Sequence, residues 1–170
     1  MTGFVEYRGL SPVSDRDREI VAGQLGRPPR GLRAVAARDE SGEPAVVQTH
    51  PRLEKGTPFP TLYYLTSRRL ISLVSTLESE GLMRRMTERL AEDERLAADY
   101  RRAHESYLAE RDAIEPLGTE VSAGGMPERV KCLHVHVAHA LAKGRGVNPI
   151  GDWTLDEIAR RSASSTPSDE

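Results

Sequence analysis

Apolar positions along this chain recur at two different periods, and the changes of period mark its elements. Ser14 precedes Asp15, Asp17 and Glu19, with Ile20, Val21 and Leu25 on one helical face. Acidic residues in a first turn complement the positive end of a helix dipole. A helix is therefore predicted from Ser14. Gly26 ends it, because Pro28 and Pro29 cannot continue a helix. Leu32 to Arg38 and Ala45 to Thr49 read as short strands around a turn-forming Asp39-Glu40-Ser41-Gly42-Glu43-Pro44, so a hairpin is expected. Residues 50–60 form a proline-rich loop, and Thr61 to Thr66 has the β-branched and aromatic content of a third strand.

The period then becomes helical. Ser67 is placed to cap a helix to Glu80, with Leu70, Val74 and Leu77 at its spacing and Gly81 as its stop. A second stretch starts at Leu82. Asp93 offers a new cap, and the helix of residues 94–113 aligns Leu96, Tyr100, Ala103 and Tyr107. After a loop over 116–125, Pro127 is predicted to open a helix that runs to Lys143. Gly146 to Gly151 is a further loop, and Asp152 or Thr154 caps a last helix through Arg161. The expected fold is α+β and helix-dominant, with a small N-terminal sheet of about three strands packed by several helices. Residues 1–13 are expected as an arm, 14–161 as one domain and 162–170 as a polar tail.

Composition narrows the class. The 170 residues suit one domain, and 24 basic against 26 acidic residues give a net charge of −2. That balance gives no support to a nucleic-acid binder, which needs a basic surplus. Cys132 is the single cysteine, so no internal disulfide forms and nothing points to an oxidising compartment. No segment resembles a secretory signal or approaches roughly 18 consecutive apolar residues. A cytoplasmic location without membrane contact is expected.

Chemistry concentrates after Pro127. At about 100° per residue, Val130, Leu133, Val137 and Leu141 form an apolar stripe. Cys132, His136 and His139 then share the other side at i, i+4 and i+7, one turn beyond Glu128. Thiolate and imidazole on one face are donors that a transition metal such as zinc or iron uses. His50, His104, Asp39 and Glu40 are candidates for a further ligand. The same His136 and His139, with His104 from the 94–113 helix, are alternatively acid–base groups. The plainer alternative is that the histidines satisfy buried polar groups and Cys132 packs as a small apolar side chain. His134, near the stripe, reads as a neutral core histidine.

A second candidate is an anion site. Gly124 and Gly125 precede the predicted helix start, where free N–H groups hold anions. Arg129 is adjacent, and Arg27 and Arg30 in the proline-rich loop are candidates to converge there. The implied ligand is a phosphate-bearing small molecule, although the spacing of a phosphate-binding loop is absent.

Four motifs carry a wider likeness: Gly56-Thr57-Pro58-Phe59-Pro60-Thr61-Leu62-Tyr63-Tyr64-Leu65-Thr66, Ala123-Gly124-Gly125-Met126-Pro127, Lys131-Cys132-Leu133-His134 and Gly146-Val147-Asn148-Pro149-Ile150-Gly151-Asp152. In this order, over roughly residues 15–155, the chain resembles a bacterial family known as domain of unknown function 501. The resemblance implies one domain and a shared site, without a reaction. It also implies that some relatives carry cysteines where Asp39 or Glu40 and Ser67 stand here, and hold a metal or cluster that this chain has partly lost. Ser67, Cys132 and the hairpin turn would then approach one another. Association with cell division or polyphosphate metabolism is a further implication of the resemblance. The alternative function is a non-catalytic interaction module docking through the long helices of residues 67–113.

Overall fold

The computed structural model describes residues 9–165, which pass through α1 (Asp15–Leu25), β1 (Leu32–Arg38), β2 (Pro44–Thr49), β3 (Tyr63–Leu65), α2 (Arg68–Ser79), α3 (Leu82–Glu92), α4 (Glu94–Ile114), α5 (Leu133–Lys143) and α6 (Pro149–Ser164). The strands form an antiparallel sheet in the order β1-β2-β3. This is the α+β, helix-dominant architecture that the change of period predicts. Residues 1–8 of the expected arm and 166–170 of the expected tail lie outside the described residues. Within the arm, Ser11 forms an antiparallel bridge with Val35.

Local signals set most element ends. Ser14 and Asp17 make a reciprocal capping box, with Asp17 N–H donating to Ser14 Oγ at 3.0 Å and Ser14 N–H to Asp17 Oδ2 at 3.1 Å. Asp17 is buried and also accepts both arms of the Arg38 guanidinium at 2.8 and 2.9 Å. That pair locks α1 to β1 and holds the Asp17 carboxyl well below its ordinary range. Asp93 Oδ1 accepts the Leu96 N–H at 3.0 Å and separates α3 from α4.

Two helices differ from their predicted starts. The stretch after Pro127 does not coil. Gly125 carbonyl accepts the Arg129 N–H at 3.1 Å, and Gly124 carbonyl accepts the Lys131 N–H at 2.7 Å. These bonds hold the chain in turns until Leu133. The first α5 N–H, that of Leu133, donates to Glu78 Oε2 of α2 at 2.9 Å, so a neighbouring helix supplies the cap. The last helix begins earlier than predicted, at Pro149, because Asn148 caps it.

Pleating divides the sheet. Val46, Gln48, Tyr63 and Leu65 face α5, as the stack of Tyr63 on His139 shows (ring centroids 5.9 Å apart). Val47, Thr49 and Tyr64 face the opposite side, where the end of α1 lies. Behind α5, α6, α2 and α4 complete the core. The Tyr107 hydroxyl ties α4 to the sheet by accepting the Leu62 N–H at 2.6 Å. Arg111 is fully buried and donates to the Val121 and Thr119 carbonyls at 2.7 and 3.1 Å, pinning the loop after α4.

At the centre is Asn148, with no exposed surface. Its Oδ1 accepts the Ile150 and Gly151 N–H groups at 3.1 and 3.0 Å, and its Nδ2 lies 3.1 Å from Nδ1 of both His136 and His139. One amide thus starts α6 and holds two imidazoles of α5. Gly151 permits this approach. A Cβ there would stand 2.2 Å from the His136 carbonyl oxygen, a backbone atom that cannot step aside. Gly151→Ala is expected to destabilise the protein by about 2–3 kcal/mol through forced separation of α5 and α6. Denaturant unfolding of both proteins checks this, and an unchanged midpoint would show that the contact is soft.

Candidate functional site

The late start of α5 decides which side chains meet. Cys132 lies in extended backbone (φ −151, ψ 129) as the residue before the helix, off the helical period that would align it with His136 and His139. Its Sγ is instead 3.8 Å from His134 Nδ1, which is 3.1 Å from Glu78 Oε1. Glu78, Cys132 and His134 form a group of three donors within 4.8 Å of one another, the one such group among the described residues. All three are half-buried. The expected metal set of Cys132, His136 and His139 is therefore not assembled, and His134 is a partly exposed member of a polar cluster rather than a core histidine.

Each donor is oriented by a second partner. His134 Nε2 is 3.2 Å from Ser75 Oγ, and the other oxygen of Glu78 holds the Leu133 N–H. The Cys132 hydrogen bond raises the His134 pKa above its ordinary value against the effect of burial, and the Glu78 charge adds to the rise. Burial pushes the Cys132 thiol up, but His134 and nearby backbone N–H groups outweigh it, so the net shift is downward. Sequence spacing missed Glu78, because it stands 55 positions from Leu133 and meets it only through the packing of α2 on α5.

His136 and His139 form a separate, fully buried pair. With Asn148 donating to each Nδ1, His136 Nε2–H points to Gly124 carbonyl at 3.2 Å and Tyr100 Oη at 3.0 Å. His139 Nε2 is buried without a hydrogen-bond partner among the described residues, with its ring between Tyr63 and Tyr107. Burial depresses the His136 pKa to about 4. Burial, with the charges of His136 and Lys143, depresses that of His139 to about 3. His104 is not in this group. Its Nδ1 is 2.7 Å from Ser122 Oγ.

The expected anion residues also separate. Gly124, Gly125 and Arg129 line one surface concavity, while Arg27 and Arg30 line another beside the proline-rich loops. The glycines are required by close packing. A Cβ on Gly124 would lie 2.4 Å from His136 Nε2, and one on Gly125 2.5 Å from the Arg129 carbonyl oxygen. Ser67 caps α2 and Asp39 Oδ1 closes the β1–β2 turn onto Ser41 and Glu43. Asp39 does not belong to the Cys132 group, and Ser67 stands at the opposite end of α2 from Glu78.

Fold and cluster together define an α+β protein built on a three-stranded antiparallel sheet, with a Glu-Cys-His group at a helix start. The family model described as protein of unknown function (DUF501) matches residues 35–156, and the chain belongs to that family. No curated protein and no solved structure matches it. No helix of the described residues is long and apolar enough to cross a membrane.

The buried pair has a pH consequence. An unfolded histidine takes up its proton near 6.5, whereas the folded pair resists protonation down to about 4 and 3. Between those values the unfolded chain binds more protons, so stability is full above 6.5 and falls as pH drops. The expected loss is on the order of a few kcal/mol by pH 4. His139→Phe keeps a ring between the two tyrosines and should flatten the slope of unfolding midpoint against pH. Equal slopes would contradict the assignment.

Proposed function

We propose that the protein binds a transition metal ion of the zinc type through Cys132 Sγ, His134 Nδ1 and Glu78 Oε1. The observation that carries this reading is that a cysteine sulfur and a carboxylate oxygen converge on one ring nitrogen. Sγ and Oε1 both approach His134 Nδ1, while Nε2 is engaged by Ser75. If Nε2 donates to the serine hydroxyl, the Nδ1 lone pair faces a thiol and a carboxylate, and a cation among them relieves the repulsion. The separations of 3.8 and 3.1 Å bracket the roughly 3.3–3.6 Å edges expected from zinc bonds to sulfur, nitrogen and oxygen.

The donor set suits the ion. One thiolate, one imidazole and one carboxylate are borderline-soft, as zinc prefers. The hydroxyl of Ser75 and the Leu133 N–H would orient the imidazole and the carboxylate, as partners behind metal ligands commonly do. Three protein donors leave a further coordination position, and the partial exposure of the group lets water reach it. In catalytic sites such an ion acidifies a bound water or polarises a carbonyl or phosphoryl oxygen. The residues that supply that capacity here are Glu78, Cys132 and His134, not His136 and His139.

Elemental analysis and competition titration with a chromogenic chelator test this. The wild type is expected to hold about one equivalent of zinc after reconstitution. Cys132→Ser should abolish stoichiometric binding, and Ser75→Ala should weaken it about tenfold. Less than about a tenth of an equivalent after reconstitution, or binding unchanged in Cys132→Ser, would leave a proton-mediated ion pair between His134 and Glu78 as the account of the cluster.

A further inference from the structure

The opposite face of the sheet holds a composite cleft. One part has a volume of about 840 Å³, and its basic lining groups are Arg18, Arg30, His50, Arg52 and Lys55. Glu54 is its one acidic side chain. The other part, about 460 Å³, is lined by Leu25, Val47, Phe59 and Tyr64. The two share Pro29, Arg30, Leu32, Leu53 and Thr57, so they are continuous.

Four permanent positive charges face one carboxylate in the basic part. Arg52 is partly neutralised by Glu115 at 3.3 Å and donates to the Gly56 carbonyl at 3.2 Å. The side chains of Arg18, Arg30, His50 and Lys55 have no ion pair or hydrogen-bond partner among the described residues. Cations gathered around one concavity without carboxylate partners repel one another, and a multivalent anion relieves that repulsion. The loop that carries His50, Arg52 and Lys55 is ordered by its own backbone, while Arg18 stands on α1 and Arg30 in the connection to β1. Leu53 N–H donates to Thr57 carbonyl at 2.8 Å, and Phe59 N–H to Pro51 carbonyl at 2.7 Å. Gly31 forms part of the cleft wall, its carbonyl accepting the His50 N–H at 2.7 Å. The basic groups are thus presented by a preformed frame, which lowers the entropic cost of binding.

The adjoining part selects the rest of the ligand. Phe59 and Tyr64 are half-exposed aromatic side chains against the apolar Leu25 and Val47, a surface that a planar ring covers favourably. We propose that this cleft binds a ring-bearing organic phosphate of the nucleotide class, with its phosphates among Arg18, Arg30, Arg52 and Lys55 and its ring beside Phe59 and Tyr64. A polynucleotide fits less well, because the basic groups are gathered in one cavity and the whole chain carries a net charge of −2. The proposal is independent of the metal reading, since none of Glu78, Cys132 or His134 lines either part.

Isothermal titration calorimetry with ADP, pyrophosphate and adenosine separates the contributions. Wild-type protein is expected to bind ADP most tightly, pyrophosphate more weakly and adenosine least. Arg30→Glu, an exposed change with no internal bond to break, should weaken ADP and pyrophosphate at least tenfold. Phe59→Ala should weaken ADP several-fold and leave pyrophosphate unchanged. Arg129→Glu, on the Gly124–Gly125 surface, should alter neither. Circular dichroism and thermal unfolding establish that each variant is folded. The absence of heat and of thermal stabilisation with millimolar ADP would overturn the proposal. So would equal ADP affinity in Arg30→Glu, equal affinity for adenosine and ADP, or tighter binding of a single-stranded oligonucleotide through the same arginine.

Discussion

A single buried amide joins the two halves of the helical layer. Asn148 uses both N–H bonds on imidazoles of α5 and its oxygen on two N–H groups of α6, so its hydrogen-bonding capacity is spent inside the core. The arrangement works only with neutral histidines, because each Nδ1 must accept. Burial enforces neutrality by penalising the charged form. Gly151 then lets the α6 backbone come close enough for the amide to reach. Loss of any of these conditions leaves buried polar atoms without partners, which costs about 1–3 kcal/mol each.

This clamp explains why chemistry reaches the surface elsewhere. The imidazoles most suggestive in the sequence are consumed by the core, where Tyr63, Tyr100 and Tyr107 enclose them. The groups that meet solvent lie at the edges of the frame. Glu78, Cys132 and His134 meet where α2 passes the start of α5. The basic cleft lies on the other face of the sheet, between the end of α1 and the proline-rich loops. A rigid core with polar groups placed at element ends is the usual division between scaffold and site.

Much of the fold was readable because its signals are local. The capping box of Ser14 and Asp17, the Asp93 cap and the left-handed Gly26 and Gly81 each act within a few residues. The candidate site was less readable. Pro127 looked like a helix start, since nothing in its neighbours reveals that Gly124 and Gly125 carbonyls capture the N–H groups of Lys131 and Arg129. Displacing the helix start from Pro127 to Leu133 moved Cys132 off the face it was expected to share with His136 and His139.

The chain's own pattern determined the α+β class, the order of strands and helices, and the segment that carries sulfur and imidazole. Those properties follow from propensity, capping and periodicity, which operate over a turn or two of chain. Tertiary structure alone decided which histidines are buried, that Glu78 joins Cys132, and that Arg18, Arg30 and Arg52 gather without Gly125 or Arg129. Each of these depends on residues distant in sequence competing for the same hydrogen bond or the same volume. Such competition is settled by packing, and no local spacing encodes it.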